Sequence, residues 1–223
     1  MCNFMSAIVL RTTGGFDVLR NPWTDSHEDL VTLFKLRDTR DGSFARVEFT
    51  PKDGKSYDEP AAYVLTIDEG RKPDWLDEAM QEKVAKRMRG WVKSMIVDGD
   101  VDLLCGGVWI LGKNANVGCV KGSVIKMMLG SSKVGEMWES SNVGEMWDSS
   151  NVGVMWGSSK VGVMWESSNV GVMRDSSNVG EMWESSNVGE MWGSSKVGEM
   201  RDSSNVGVMW GSSKVENDNR KAK

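Results

Sequence analysis

A nine-residue unit repeats nine times without interruption between Ser131 and Gly211. Its copies begin at Ser131, Ser140, Ser149, Ser158, Ser167, Ser176, Ser185, Ser194 and Ser203, and a truncated tenth begins at Ser212. A period this short points to a solenoid. An α-helix fails the test, because nine residues make two and a half turns and successive valines would face opposite sides. Each unit also holds a glycine and two serines, which weaken helices. Collagen needs glycine at every third position. Disorder is disfavoured by an invariant Val and Met in every unit and a Trp in most. A parallel β-solenoid remains, in which equivalent residues stack and each coil pairs its backbone with the next.

Positions within the unit predict which side chains point inward. The second Ser, the Val and the Met never vary. The third position alternates Asn and Lys, the sixth Glu and Val, and the ninth Glu, Asp and Gly. Invariant small or apolar positions belong inside. The pattern therefore reads as Ser in, Asn out, Val in, a corner at Gly-Glu, Met in, Trp out and a second corner. Two units per coil, or 18 residues, suit one Val and one Met per unit. Three units, or 27, are the alternative. Asp at the ninth position occurs only at Asp148, Asp175 and Asp202, and Arg replaces Trp only at Arg174 and Arg201, each three units apart. With 18-residue coils stacked at about 4.8 Å, about six coils make a rod of about 29 Å. Degenerate copies at 116–121 and 122–130 place the start of the repeating region near Leu103.

In its inward small and aliphatic residues, "SNVGE" resembles one side of the coil in pentapeptide-repeat proteins, whose period is five rather than nine. The compact front domain with a near-perfect short array also resembles uncharacterised phage and bacterial repeat proteins. The pentapeptide resemblance implies a binding rod, and in its DNA-mimicking members a decoy for DNA-handling enzymes. Residues 131–211 hold 11 acids and 5 bases, which supports such mimicry only weakly.

Residues 1–100 show no repeat and read as α+β. Strands are expected at 3–10, 43–50 and 61–67, and a helix at 24–36 with Asp25 or Ser26 as its N-cap. A longer helix is expected at 73–97, capped by Asp74, with Leu76, Met80, Val84, Met88, Trp91 and Met95 on one apolar face. The fold expected is thus an α+β capping domain over 1–102, a β-solenoid over 103–217 and a charged tail over 218–223. The last helix is a candidate plug for the first coil, and "ENDNRKAK" a polar guard for the last, since open coils expose unpaired strand edges.

Net charge is −5, so nothing advertises nucleic-acid binding. Cys2, Cys105 and Cys119 lack metal-ligand spacing and fit a reduced chain. The apolar run at 7–10 is too short for a signal or a membrane span, which points to a bacterial cytoplasm or that of a phage-infected host. His27 reads as surface decoration. Cys2 would become an N-terminal nucleophile if Met1 were removed, which makes an amidohydrolase the lesser alternative. No cofactor and no metal are expected; calcium-binding nonapeptide rolls need "GGxGxD" loops that are missing here.

The candidate partner surface is the outward row of Trp138, Trp147, Trp156, Trp165, Arg174, Trp183, Trp192, Arg201 and Trp210, because contiguous exposed aromatics mark binding sites and Trp and Arg dominate hot spots. The competing reading is that these side chains merely stack on one another. The function expected is non-enzymatic binding of a macromolecule, with a protein as the partner. The alternative is structural self-assembly, with copies joining through the C-terminal coil into dimers or fibres. Ice binding is disfavoured because flat Thr rows are missing.

Overall fold

The computed structural model describes residues 5–37, 42–68 and 72–220. The chain divides into two compact units, Met1–Ser94 and Met95–Lys223.

The first unit is a four-stranded antiparallel sheet with helices. Strands β1 (Ser6–Thr12), β2 (Gly15–Leu19), β3 (Phe44–Pro51) and β4 (Tyr63–Ile67) are ordered β2-β1-β3-β4. Helix α1 (His27–Leu33) packs on β1. Its N-cap is Ser26, whose side chain accepts from the Asp29 amide at 3.2 Å. Helix α2 (Glu78–Met95) starts later than expected. Its first turn is capped by Asp77, which accepts from the Met80 amide at 2.7 Å, and not by Asp74. Leu76, Val84 and Met88 are fully buried, as the apolar periodicity requires. Strand β2 was not anticipated. It forms a hairpin with β1 through a two-residue loop at Thr13–Gly14, where Thr12 pairs with Gly15; the Gly-Gly pair at 14–15 was the available turn signal.

The second unit is a parallel β-solenoid with two strands per 18-residue coil. Its strands are β5 (Ile96–Val97), β6 (Asp100–Cys105), β7 (Val108–Leu111), β8 (Asn116–Lys121), β9 (Val124–Met128), β10 (Lys133–Trp138), β11 (Asn142–Met146), β12 (Asn151–Met155), β13 (Lys160–Met164), β14 (Asn169–Met173), β15 (Asn178–Met182), β16 (Asn187–Met191), β17 (Lys196–Met200), β18 (Asn205–Met209) and β19 (Lys214–Asp218). Even strands from β6 to β18 form a seven-stranded sheet and odd strands from β5 to β19 an eight-stranded one. The register is strict: Val152 pairs with Val170 and Met155 with Met173, 18 residues apart. The 27-residue alternative is therefore excluded. The ladders begin at Ile96, ahead of Leu103, which adds a coil and lengthens the stack to about 34 Å along the eight-stranded sheet.

The inside and outside assignments hold for Ser, Val and Met. Val143, Val152, Val170, Val179 and Val188 and Met137, Met146, Met155, Met173 and Met182 are all fully buried, as are the second serines Ser141 to Ser195. The corner expected at Gly-Glu does not exist. Residues three to seven of each unit form one strand, and the only turn follows the Trp. The glycine lies mid-strand for a steric reason. A Cβ at Gly171 would stand 2.6 Å from the Gly153 carbonyl oxygen of the coil below, and the same clash recurs up the column. Each unit thus supplies one side of a two-sided tube, so one Val and one Met per unit fill the core.

The turn explains the ninth position. From Trp165 onward, for example, the Ser168 amide donates to the Trp165 carbonyl at 3.2 Å, closing a tight turn. Its first central residue, Glu166, has φ of 55°. Every ninth position from Glu139 to Gly211 has positive φ. Glycine adopts this conformation without strain, whereas Glu and Asp pay about 1–2 kcal/mol.

The array stops by substitution. In β19, Asn217 stands opposite Glu199 and Asp218 opposite Met200. Asp218 pairs with Arg220, whose Nη1 donates to the Ser204 carbonyl at 3.3 Å. The expected polar guard is therefore partly a strand, and its acid occupies the core Met position.

Candidate functional site

The tryptophans and arginines sit at the ends of strands, one residue beyond the inward Met. Two strands per coil send alternate units to opposite sheets, so the nine residues do not form a single row. Trp138, Trp156, Arg174, Trp192 and Trp210 follow the even strands; Trp147, Trp165, Trp183 and Arg201 follow the odd ones. A coil made of two strands and two tight turns places these rows at opposite edges of the tube.

Both rows are stacked. Trp138 and Trp156 are 5.2 Å apart at 15°, and Trp192 and Trp210 5.4 Å apart at 20°. Arg174 completes the even row, its guanidinium 4.9 Å from the Trp156 ring and 5.9 Å from that of Trp192. On the odd row Trp147 and Trp165 lie 6.0 Å apart, Trp165 and Trp183 5.3 Å apart, and Arg201 rests 4.3 Å from Trp183. Stacking leaves the inner members half-buried. Only Trp138 and Trp210, at the ends of the even row, are fully exposed. Aromatic and cation–π contacts of this kind contribute about 0.5–1.5 kcal/mol each.

The sixth position serves the indoles. Glu136 accepts from the Trp138 Nε1 at 2.7 Å, Glu145 from Trp147 at 2.9 Å, Glu181 from Trp183 at 2.9 Å and Glu190 from Trp192 at 2.8 Å. Trp165, whose own unit has Val163, borrows Glu145 of the coil below at 3.2 Å. Arg201 pairs with Glu199 at 2.7 Å. The Glu residues thus hold ring orientation as well as charge.

The two edges differ in charge. At the turns after odd strands the ninth positions are Asp148, Glu166, Glu184 and Asp202, an unbroken acidic column. At the turns after even strands they are Glu139, Gly157, Asp175, Gly193 and Gly211. Within residues 131–211 the odd units hold 7 acids and 3 bases, and the even units 4 acids and 2 bases. The Asp residues also pin neighbouring coils: Asp148 accepts from the Gly130 amide at 2.9 Å, Asp175 from Gly157 at 3.0 Å and Asp202 from Glu184 at 3.3 Å. Their 27-residue spacing spans one and a half coils and therefore alternates edges. Sequence reasoning missed the acidic column, because its members lie in alternate units and align only when the coil holds 18 residues.

An asparagine ladder runs up the even sheet, with Asn187 donating to Asn169 at 2.9 Å and Asn205 to Asn187 at 3.0 Å. Cys105 and Cys119 are free thiols on neighbouring strands β6 and β8. Burial, with the Glu136 carboxylate, pushes the Cys119 thiol up and away from a reactive thiolate. Cys2, the candidate nucleophile, lies outside the described residues. His27 is not surface decoration: it is 4% exposed and held between β3 and the residue after β4. Among the described residues no helix is long and apolar enough to cross a membrane.

No protein-family model, curated protein or solved structure matches the chain.

Proposed function

We propose that the protein is a non-enzymatic binding rod whose odd-strand edge docks a cationic segment of a partner protein. The acidic column supports this most directly. Asp148, Glu166, Glu184 and Asp202 all stand in left-handed backbone, where glycine is free of strain and is used at three of the five matching turns on the other edge. Stacking like charges at about 4.8 Å adds repulsion of up to about 1 kcal/mol per neighbouring pair in water. Residues kept against local strain and mutual repulsion point to a role outside folding. Beside the acids run Trp147, Trp165 and Trp183, so Arg and Lys side chains would find carboxylates and aromatic rings on one edge. This chemistry favours a basic protein surface over the DNA-enzyme decoys of pentapeptide-repeat proteins, although those enzymes would also offer basic clefts.

The test uses the immobilised full-length chain and poly-arginine as probe. Wild type should bind with an affinity that falls as salt rises. Glu166→Lys combined with Glu184→Lys should abolish binding, while Glu139→Lys on the opposite edge should leave most of it. Equal loss from both changes, or no binding by wild type, would refute the reading.

A second reading, self-assembly, rests on the last coil. Val208, Met209 and Trp210 on and beside β18 are 46%, 40% and 52% exposed, whereas the same positions one coil earlier are covered. Light scattering over a wide concentration range decides it. A constant monomer mass excludes it; a dimer that Met209→Ser with Trp210→Ser dissociates supports it.

A further inference from the structure

Outside the solenoid, three side chains from separate elements converge. His27 opens α1, Glu48 lies on β3, and Asp68 follows β4 directly. Each offers a ligand atom, and these atoms lie within 4.8 Å of one another. The histidine ring is held at both nitrogens. Nε2 lies 3.1 Å from the Val47 carbonyl oxygen. A carbonyl only accepts, so Nε2 bears the hydrogen. Nδ1 then faces the Asp68 carboxylate oxygen at 2.8 Å. A neutral Nδ1 presents a lone pair, and a lone pair directed at a carboxylate requires a positive charge between them. That charge is either a proton on the ring or a bound metal ion.

We propose that His27, Asp68 and Glu48 bind a divalent transition-metal ion of the zinc class. Three observations favour the metal over the proton. The backbone carbonyl of Val47 sets the tautomer and fixes the ring, which is the support that metal-ligating histidines commonly have. A second carboxylate, Glu48, reaches the same point, whereas a shared proton needs only one. The ring is buried while Asp68 is 36% exposed, so the nitrogen is fixed and an ion has a way in. With bonds of about 2.0–2.1 Å at a tetrahedral angle, ligand atoms stand about 3.3 Å apart. The Nδ1 to Asp68 separation must therefore open by about half an ångström, which a carboxylate on an exposed segment allows. One imidazole and two carboxylates suit zinc better than calcium or magnesium. Three protein ligands leave the fourth position to a water molecule.

The test uses the full-length chain, stripped with EDTA and dialysed. Zinc chloride is titrated by calorimetry, and cobalt(II) by visible absorption, where a four-coordinate ion gives strong d–d bands. Wild type should take up one equivalent at this site. Asp68→Asn and Glu48→Gln should each weaken it at least tenfold, and the double variant should abolish it. Both carboxylates are solvent-accessible, so these variants keep the buried imidazole, and far-ultraviolet circular dichroism checks their fold. Absent zinc uptake, or uptake that the double variant leaves unchanged, overturns the proposal. So does nitrogen NMR showing His27 with both nitrogens protonated at saturating zinc, which would assign the charge to a proton.

Discussion

Gly153 lies directly above Gly135, and a Cβ added to Gly153 would stand 2.5 Å from the Gly135 carbonyl oxygen. Backbone cannot yield there without breaking the ladder on both sides. Gly153→Ala should therefore destabilise the solenoid by several kcal/mol, although alanine suits extended backbone better than glycine. Thermal melts followed by circular dichroism check this. A loss below about 1 kcal/mol would mean that the coils can separate locally.

The turn position predicts the opposite sign. Glu184 has φ of 56°. Glu184→Gly keeps the amide that donates to Asp202 and removes the left-handed strain, so stability should rise by about 0.5–1 kcal/mol after the entropy of the unfolded glycine is counted. The same variant should weaken poly-arginine binding if the acidic column is the docking edge. Urea denaturation and the binding assay together separate the two effects.

Two buried serines should respond differently. Ser141 donates to the Trp138 carbonyl at 2.6 Å, with the Val120 carbonyl at 3.1 Å. The Ser177 hydroxyl, equally buried, has no hydrogen-bond partner among the described residues. Ser141→Ala should cost about 1 kcal/mol, and Ser177→Ala should be neutral or stabilising. Equal effects in denaturation curves would show that the inner hydroxyls share one environment.

Inside and outside of a single unit can be contrasted directly. Val179 is fully buried, so Val179→Asp places a charge in the dry column and should cost several kcal/mol. Trp183 is stacked between Trp165 and Arg201 and half-buried, so Trp183→Ala should cost about 1–3 kcal/mol without unfolding the coil. Chemical denaturation ranks the two. If Trp183→Ala costs as much as Val179→Asp, the indole belongs to the core rather than to the edge.

A strict nine-residue period was enough to reject helix and collagen and to call a parallel solenoid. Invariance within the unit was enough to place Ser, Val and Met inside, because a stacked column tolerates only side chains that fit their own copies. The period of the coil was not legible. Asp148, Asp175 and Asp202 advertise a 27-residue interval, while the hydrogen-bonded register is 18. Only the folded chain shows that glycine stands mid-strand under a carbonyl rather than at a corner, since that clash lies between residues 18 apart. For the same reason the nine Trp and Arg positions read as one row and fold as two, and the column from Asp148 to Asp202 emerges only on stacking. In the front unit, local signals found the helices and three strands. The burial of His27 against Val47 and Asp68 was invisible, because those partners lie 20 and 41 residues away and meet only when β3 and β4 pair. Short-range periodicity is written in neighbouring letters; charge, strain and ligand geometry belong to residues that tertiary structure brings together.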